Sequence, residues 1–213
     1  MGKKGFFITG TDTGVGKTFF ASILMKKFNF DYWKPIQTGK FTENDTLHIK
    51  ENIEIEENRF HKPIYSFKKP LSPHLASSYE KISINMKKIK KPCSDRPLII
   101  EGVGGILVPL NKKNLLIDLI KKFKFPVIVV SKSVLGTINH TLMTLEILKK
   151  NKINIFGVIL NNVKNKKEGY ENKKSIEEYG NIKVLGQISS INHITRKKMK
   201  ALTKKKFISA FRL

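Results

Sequence analysis

The segment Gly10-Thr-Asp-Thr-Gly-Val-Gly-Lys-Thr18 carries residue types that bind phosphate. Glycines let backbone N–H groups converge on anionic oxygens, and a helix starting just after them adds partial positive charge. Lys17 is then placed to reach β- and γ-phosphates, and the Thr18 hydroxyl to bind Mg²⁺. The usual pattern, G-x-x-x-x-G-K-[ST], asks for glycine at position 11, where this chain has Thr11 with Gly10 one residue early. An ordinary glycine-rich turn is the plainer reading, but a strand before and a helix after favour the phosphate loop. Two carboxylates could complete the site. Glu101 closes the apolar run 97–101 (PLIIE) and precedes Gly-Val-Gly-Gly, where close backbone approach is needed. Asp45 lies in Glu43-Asn-Asp-Thr-Leu-His, at a possible helix start. With Thr18 they form a hard-oxygen set suited to Mg²⁺. The alternatives are a solvated strand-end carboxylate for Glu101 and a plain N-cap for Asp45. Lys34, in Trp33-Lys-Pro-Ile-Gln-Thr-Gly39, ends a second strand and faces the γ-phosphate from the side opposite Lys17. A second cation there suits a reaction that gathers negative charge around a transferred phosphoryl group.

These residues need a scaffold that brings strand ends to one edge. Residues 5–9, 97–101, 126–130 and 155–160 are short runs apolar on both faces and read as buried strands. Segments 32–35 and 183–186 are weaker strand candidates. Between them, 17–28, 114–124, 137–150 and 171–179 place apolar residues at helical spacing with lysines on the other face. Strand and helix alternating in this way predict an α/β fold with a mainly parallel, doubly wound sheet, helices on both faces and ligands at the C-terminal strand ends. Nothing divides the chain, so 1–213 reads as one domain. The basic stretches 82–92 and 195–206 read as solvated.

Composition excludes several classes. With 40% apolar residues the chain buries a core, and no apolar run approaches the roughly 18 residues a membrane helix needs, so no membrane partner is expected. The basic start, Met1-Gly-Lys-Lys, is followed by too short an apolar stretch for a signal peptide. A single cysteine, Cys93, allows no internal disulfide and fits a cytoplasmic location. The five histidines are scattered and form no metal pair with it. The net charge of +24 raises nucleic acid as a partner. Arginine, the residue that clamps phosphates and reads bases, occurs only at 59, 96, 196 and 212. The lysines are spread along the chain beside many Asn and Ile, which reads as compositional drift, with polyanion binding as the other reading.

Five motifs together resemble one family. The stretch 9–18, Lys34-Pro-Ile-Gln-Thr-Gly39, Ser72-Pro-His-Leu-Ala76, Glu101-Gly-Val-Gly-Gly105 and Leu135-Gly-Thr-Ile-Asn-His140 stand in the order and spacing of dethiobiotin synthetases, over about positions 5 to 163. The resemblance implies a single-domain P-loop subunit with a seven-stranded sheet, working as a homodimer. It also implies a reaction in which 7,8-diaminopelargonic acid takes up CO₂, is activated by ATP and closes to a cyclic urea. On that footing Lys17 and Lys34 stabilise the phosphoryl charge, and Thr18, Asp45 and Glu101 hold Mg²⁺. Thr13, Gly14, Val15 and Gly16 cradle the phosphates. Thr38 and Ser72 match positions that hold the carbamate or amine end. Leu135, Gly136, Thr137 and Asn139 match a segment that receives the substrate carboxylate from the neighbouring subunit, at a helix start whose dipole favours an anion.

Asn161 matches the position that reads the adenine edge, with Asn162 where the family often has Asp. Gly186-Gln-Ile-Ser-Ser-Ile191 lacks the proline the family commonly places over the base. The segment between Ser72 and Glu101 and the loop before Lys34 are short for the family. A partitioning-type P-loop ATPase that binds DNA through lysines is the competing reading. Its signature lysine would stand where this chain has Asp12, and it lacks the motifs at 34–39 and 135–140. An amidoligase fragment is a third, though its glutaminase domain has no room here.

Overall fold

The computed structural model describes residues 5–40, 44–191 and 194–213. Glu43, His193 and the basic start at 1–4 lie outside the described residues. The chain begins β1 (Gly5–Gly10), α1 (Lys17–Lys27), β2 (Asp31–Trp33), β3 (Ile36–Thr38) and α2 (Asp45–Asn52). It continues through β4 (Phe60–His61), β5 (Tyr65–Phe67), α3 (Pro73–Tyr79), β6 (Leu98–Gly105) and α4 (Leu116–Phe123). The last part is β7 (Val127–Lys132), α5 (Thr137–Lys150), β8 (Ile155–Val163), α6 (Lys166–Gly180), β9 (Val184–Ser189) and α7 (Arg196–Thr203).

Seven strands form one parallel sheet in the order β4-β2-β6-β1-β7-β8-β9, while β3 and β5 pair separately. This is the α/β architecture the strand and helix pattern predicts. The two-residue strand period sends Phe6 and Ile8 into one apolar layer with Phe20 and Leu24 of α1. Phe7 goes into the other layer with Trp33, Leu116 and Val129. The strand order reverses beside β1, the switch point where doubly wound sheets open a crevice at their C-terminal ends. That places the β1–α1 loop between the ends of β6 and β7.

Several boundaries differ from the sequence reading. The second strand stops at Trp33, one residue before Lys34, because Pro35 has no N–H to continue the ladder. The Pro35 carbonyl instead accepts from Ile64 and Tyr65, which leads the chain into the small β3–β5 pair. β6 runs on through Gly105, so Glu101 sits inside the strand, level with Ile8, rather than closing it. β8 likewise extends to Val163 and carries Asn161 within it.

The two basic stretches are not simply solvated. Ile84 and Ile89 are buried, and Lys122 donates to the Met86 and Ile89 carbonyls. In the tail, Met199 and Leu202 of α7 and the later Ile208 and Phe211 enter the α1 layer. The Phe211 ring meets Phe6, Phe20 and Phe156 at centroid distances of 5.8, 5.4 and 5.5 Å. A Cβ at Gly186 would stand 2.3 Å from the Phe207 ring, so this glycine lets the tail lie flat on β9. Lysines dominate the tail by count, but four apolar residues decide where it goes.

Arg59 shows why arginine was used there. It is buried and donates to the carbonyls of Met25, Phe28 and Phe30 at 2.5–3.1 Å, closing the C-terminal end of α1. A planar fork of donors reaches all three, which a lysine would not.

Because Phe211 supports the helix that follows the β1 loop, F211A should lower unfolding free energy by about 3–5 kcal/mol. Urea unfolding of the two proteins measures this. A loss under about 1 kcal/mol would return the tail to the solvated class.

Candidate functional site

The β1–α1 loop leaves α1 with an open N-terminus. Its N-cap, Gly16, has φ 97°, there is no side-chain cap, and the first turn holds no acidic residue. The first-turn N–H groups therefore face the loop, with the positive end of the helix dipole behind them. Asn161 of β8 donates from Nδ2 to the Val15 carbonyl at 2.9 Å and so pins the loop to the neighbouring strand. A Cβ at Gly16 would lie 2.0 Å from that same Nδ2. Glycine is required there twice over, by φ and by space.

A hollow of about 560 Å³ opens over this loop. Thr13, Gly14, Gly16, Lys17 and Thr18 line it from the loop, and Lys34, Thr38, Asp45, Ser72 and Glu101 from other elements. A second hollow of about 260 Å³ adjoins it through Gly14, Phe19 and Ile194, and holds Asn161, Asn162, Lys132 and Ser189. Val15 is buried beneath the loop, and its carbonyl accepts from Asn161.

At the floor of the larger hollow four predicted residues converge. Thr18 Oγ1 donates within reach of both Asp45 Oδ1 at 2.6 Å and Glu101 Oε1 at 2.8 Å. Lys34 Nζ donates to Asp45 Oδ2, and to Glu101 Oε1 at 3.2 Å. The N-cap of α2 is Asn44, whose side chain accepts from Leu47 at 2.8 Å. Asp45 is therefore free of the capping role and sits in the first helical turn, where the dipole favours a carboxylate. Gln37 ties the elements together, since its Oε1 accepts from the Asp45 N–H at 3.4 Å and its Nε2 donates to Thr38 at 2.9 Å.

Burial and charge act against each other here. Burial would lower the Lys34 ammonium, but Glu101 and Asp45 together hold it above the usual lysine value. Burial would raise Asp45, yet Lys34 and the Thr18 hydroxyl hold it below the usual carboxylate range. For Glu101 burial wins, and its carboxyl is raised despite Lys34, with Asp45 pushing the same way. Lys17 is lowered, first by burial and then by Lys34, against the pull of Glu101. Its Nζ donates to the Asp12 carbonyl at 2.9 Å, so it lies folded along the loop.

The donor set fits a hard divalent cation. Two carboxylates and a hydroxyl meet at one point, and the described residues include no cluster of three or more His, Cys, Asp or Glu. Such a set suits an ion that takes its remaining ligands from phosphate and water.

Four predicted residues stand elsewhere. Leu135, Gly136, Thr137 and Asn139 line neither hollow. Leu135 is fully exposed, Gly136 has φ 88° at the uncapped start of α5, and Asn139 is exposed. Thr137 is buried and shares a hydrogen bond with Ser131 at 2.8 Å. The sequence reading missed Tyr32, Gln37, His48 and Asn52. His48 and Asn52 share a helical face with Asp45 at spacings of three and seven, a signal that was available. Tyr32 had none, because its partner comes from another strand. Ser72 carries its own contact, with its hydroxyl 3.1 Å from His74 Nδ1.

Comparison with known proteins adds identity to geometry. A family described as an AAA domain matches residues 4–198. An ATP-dependent dethiobiotin synthetase BioD of Paramagnetospirillum magneticum is 42% identical over 192 residues, covering 90% of this chain and 91% of the relative. One of the same name from Lawsonia intracellularis is 44% identical over 191 residues, 90% of each chain. Among solved structures, a ParA family ATPase from Chlorobium tepidum superposes with a TM-score of 0.57 at 12% identity, over 98% of this chain and 96% of that one. That likeness shows the fold alone, and the partitioning-type alternative is not favoured by the sequence relatives.

Placing a methyl group at Gly16 would strain the backbone and displace Asn161. G16A should weaken ATP binding at least about tenfold, in line with 1–3 kcal/mol of backbone strain. Calorimetric titration with ATP reads this directly. Unchanged affinity would mean that the loop does not hold phosphate in this geometry.

Proposed function

This chain belongs to the ATP-dependent dethiobiotin synthetase family, and from that premise we propose how its residues share the work. The activity is that of a ligase in biotin biosynthesis, forming dethiobiotin from 7,8-diaminopelargonic acid and CO₂ with ATP. One amine of the diamine adds to CO₂ and loses a proton, giving a carbamate. A carbamate oxygen attacks the γ-phosphorus and ADP leaves, giving a carbamic–phosphoric anhydride. The second amine attacks the carbonyl carbon, expels phosphate, loses a proton and closes the cyclic urea.

The observation that carries the residue assignments is the meeting of Thr18, Lys34, Asp45 and Glu101 beside the Lys17 loop. Lys17 and Lys34 flank the γ-phosphate from opposite sides. Their charge is aimed at oxygens that become more negative as the phosphoryl group transfers. Lys34 also faces the carbamate, with Thr38 and Ser72 hydrogen-bonding the reacting end of the diamine. Thr13, Gly14, Gly16 and the first-turn N–H groups of α1 hold the phosphates, and Asn161 offers its amide to the base. Thr18, Asp45 and Glu101 would hold Mg²⁺, which when bound neutralises charge on the β- and γ-phosphates.

We assign Leu135, Gly136, Thr137 and Asn139 to the site of a second subunit. Full exposure of Leu135 and the uncapped start of α5 support this, since none of the four reaches its own chain's hollow. A homodimer of one-domain subunits then shares its two sites, and the substrate carboxylate meets the α5 dipole. The remaining lysines are surface charge rather than a nucleic-acid surface. Among the described residues no helix is long and apolar enough to cross a membrane, and a cytoplasmic location is part of the same proposal.

Incubation with diaminopelargonic acid, bicarbonate, Mg²⁺ and ATP should yield dethiobiotin with one ADP per product. No product, with ATP hydrolysis stimulated by DNA instead, would sink the reading. K34A should cut kcat by about 10²–10³ while leaving ATP affinity within a few-fold, because the ammonium acts at the transition state. Steady-state kinetics beside ATP titration separate the two. Wild-type turnover in K34A would remove Lys34 from the mechanism.

A further inference from the structure

Tyr32 is completely buried in β2, and its ring packs edge-on to Phe60 at 6.2 Å between centroids. A phenylalanine would serve that packing equally well. The hydroxyl is the addition, and a buried hydroxyl is unfavourable without a partner. Its partner is Glu101, whose Oε2 accepts from Tyr32 at 2.9 Å. The register explains how they meet. Tyr32 pairs with Ile99, two residues before Glu101 on β6, so both side chains leave the sheet on the same face.

The two oxygens of Glu101 therefore have different surroundings. Oε2 turns back into the protein toward the phenol. Oε1 is the one reached by Thr18 and Lys34, both of which line the hollow, at 2.8 and 3.2 Å. The terminal torsion of a glutamate is soft, so the carboxylate orientation has to be set by its partners. Thr18 and Lys34 both pull on Oε1 from the ligand side. Tyr32 is the contact on the other oxygen, Oε2, from within the protein.

We propose that Tyr32 is a positioning residue: by holding Oε2 of Glu101 it presents Oε1 alone to the hollow, as a preset single-oxygen ligand for the divalent cation of MgATP. This rests on the reading of Glu101 as a cation ligand given above. Outer contacts that orient a metal ligand typically contribute 10–100-fold in metal affinity. The benefit is selective. It acts on Mg²⁺ and on MgATP, and leaves metal-free nucleotide binding by the loop alone.

The test uses Y32F, which keeps the ring in the core. ATP affinity is measured by calorimetry in EDTA and in Mg²⁺, beside the Mg²⁺ concentration that gives half-maximal dethiobiotin formation. Metal-free ATP affinity should match wild type, while the gain in affinity from Mg²⁺ falls about tenfold and the half-maximal Mg²⁺ concentration rises about tenfold. A double-mutant cycle with E101Q distinguishes positioning from general loosening. Adding Y32F to E101Q should cost no further Mg²⁺ dependence, whereas additive losses would overturn the proposal. Wild-type Mg²⁺ dependence in Y32F would overturn it as well. If the wild-type protein binds ATP without regard to Mg²⁺, the reading of Glu101 fails, and the role of Tyr32 fails with it. Should Y32F not fold, Y32M, which also lacks a hydrogen-bond donor, is titrated directly with Mn²⁺ beside wild type, followed by spin resonance. Equal Mn²⁺ affinity would count against the role.

Discussion

Glu101 is a carboxylate buried in the middle of a parallel sheet, and that single fact organises the site. Burial raises its carboxyl, so its charge depends on what surrounds it. Three residues answer. Thr18 comes from the start of α1, Lys34 from just beyond β2, and Tyr32 from within β2. Asp45 joins through Lys34 and Thr18 and draws in the N-terminus of α2. Such a buried ionic cluster is poor value for stability, since well-packed apolar side chains often do as well or better. Its strength lies in presenting charge in a fixed arrangement for a charged ligand.

The rest of the molecule holds those elements still. Phe20, one turn from the phosphate loop, is backed by Phe211 from the far end of the chain. Arg59 closes the other end of α1 through three carbonyls. Gln37 links the β3 segment to the first turn of α2, so Thr38 and Asp45 are set relative to each other. Asn161 ties the loop to β8 and lines the second hollow. The Phe211, Arg59 and Asn161 contacts are long-range in sequence, while the Gln37 link is local. Together they explain why a chain with a high lysine content keeps a well-defined anionic floor beneath a cationic loop.

Net charge proved a poor guide to function, for a physical reason. Formal charge sums over the chain, whereas a site depends on where a few groups are buried. Lys17 and Lys34 are the buried lysines among the described residues and both line the hollow, and Asp45 and Glu101 face them. The tail illustrates the same point. Its lysines suggested solvation, yet burial of Met199, Leu202, Ile208 and Phe211 governs its path, because apolar burial outweighs the pull of charges that can stay wet at the rim.

What the sequence determined by itself was local. Apolar runs of strand length, helical spacing between them and the Gly-Val-Gly-Lys-Thr18 turn give the α/β fold and its phosphate loop, because strand burial and helix faces leave a periodic trace. Five motifs in one order gave the family. Glu101 and Asp45 were legible as carboxylates beside turns, but their burial was not. Tertiary structure decided that Glu101 lies inside β6 and that Tyr32 stands behind Glu101. It also decided that residues 135–139 stay away from their own chain's hollow. Those outcomes depend on strand register and crossover, which bring residues 69 or 83 positions apart within hydrogen-bond distance. No local pattern encodes such a distance, so only the folded chain reveals it.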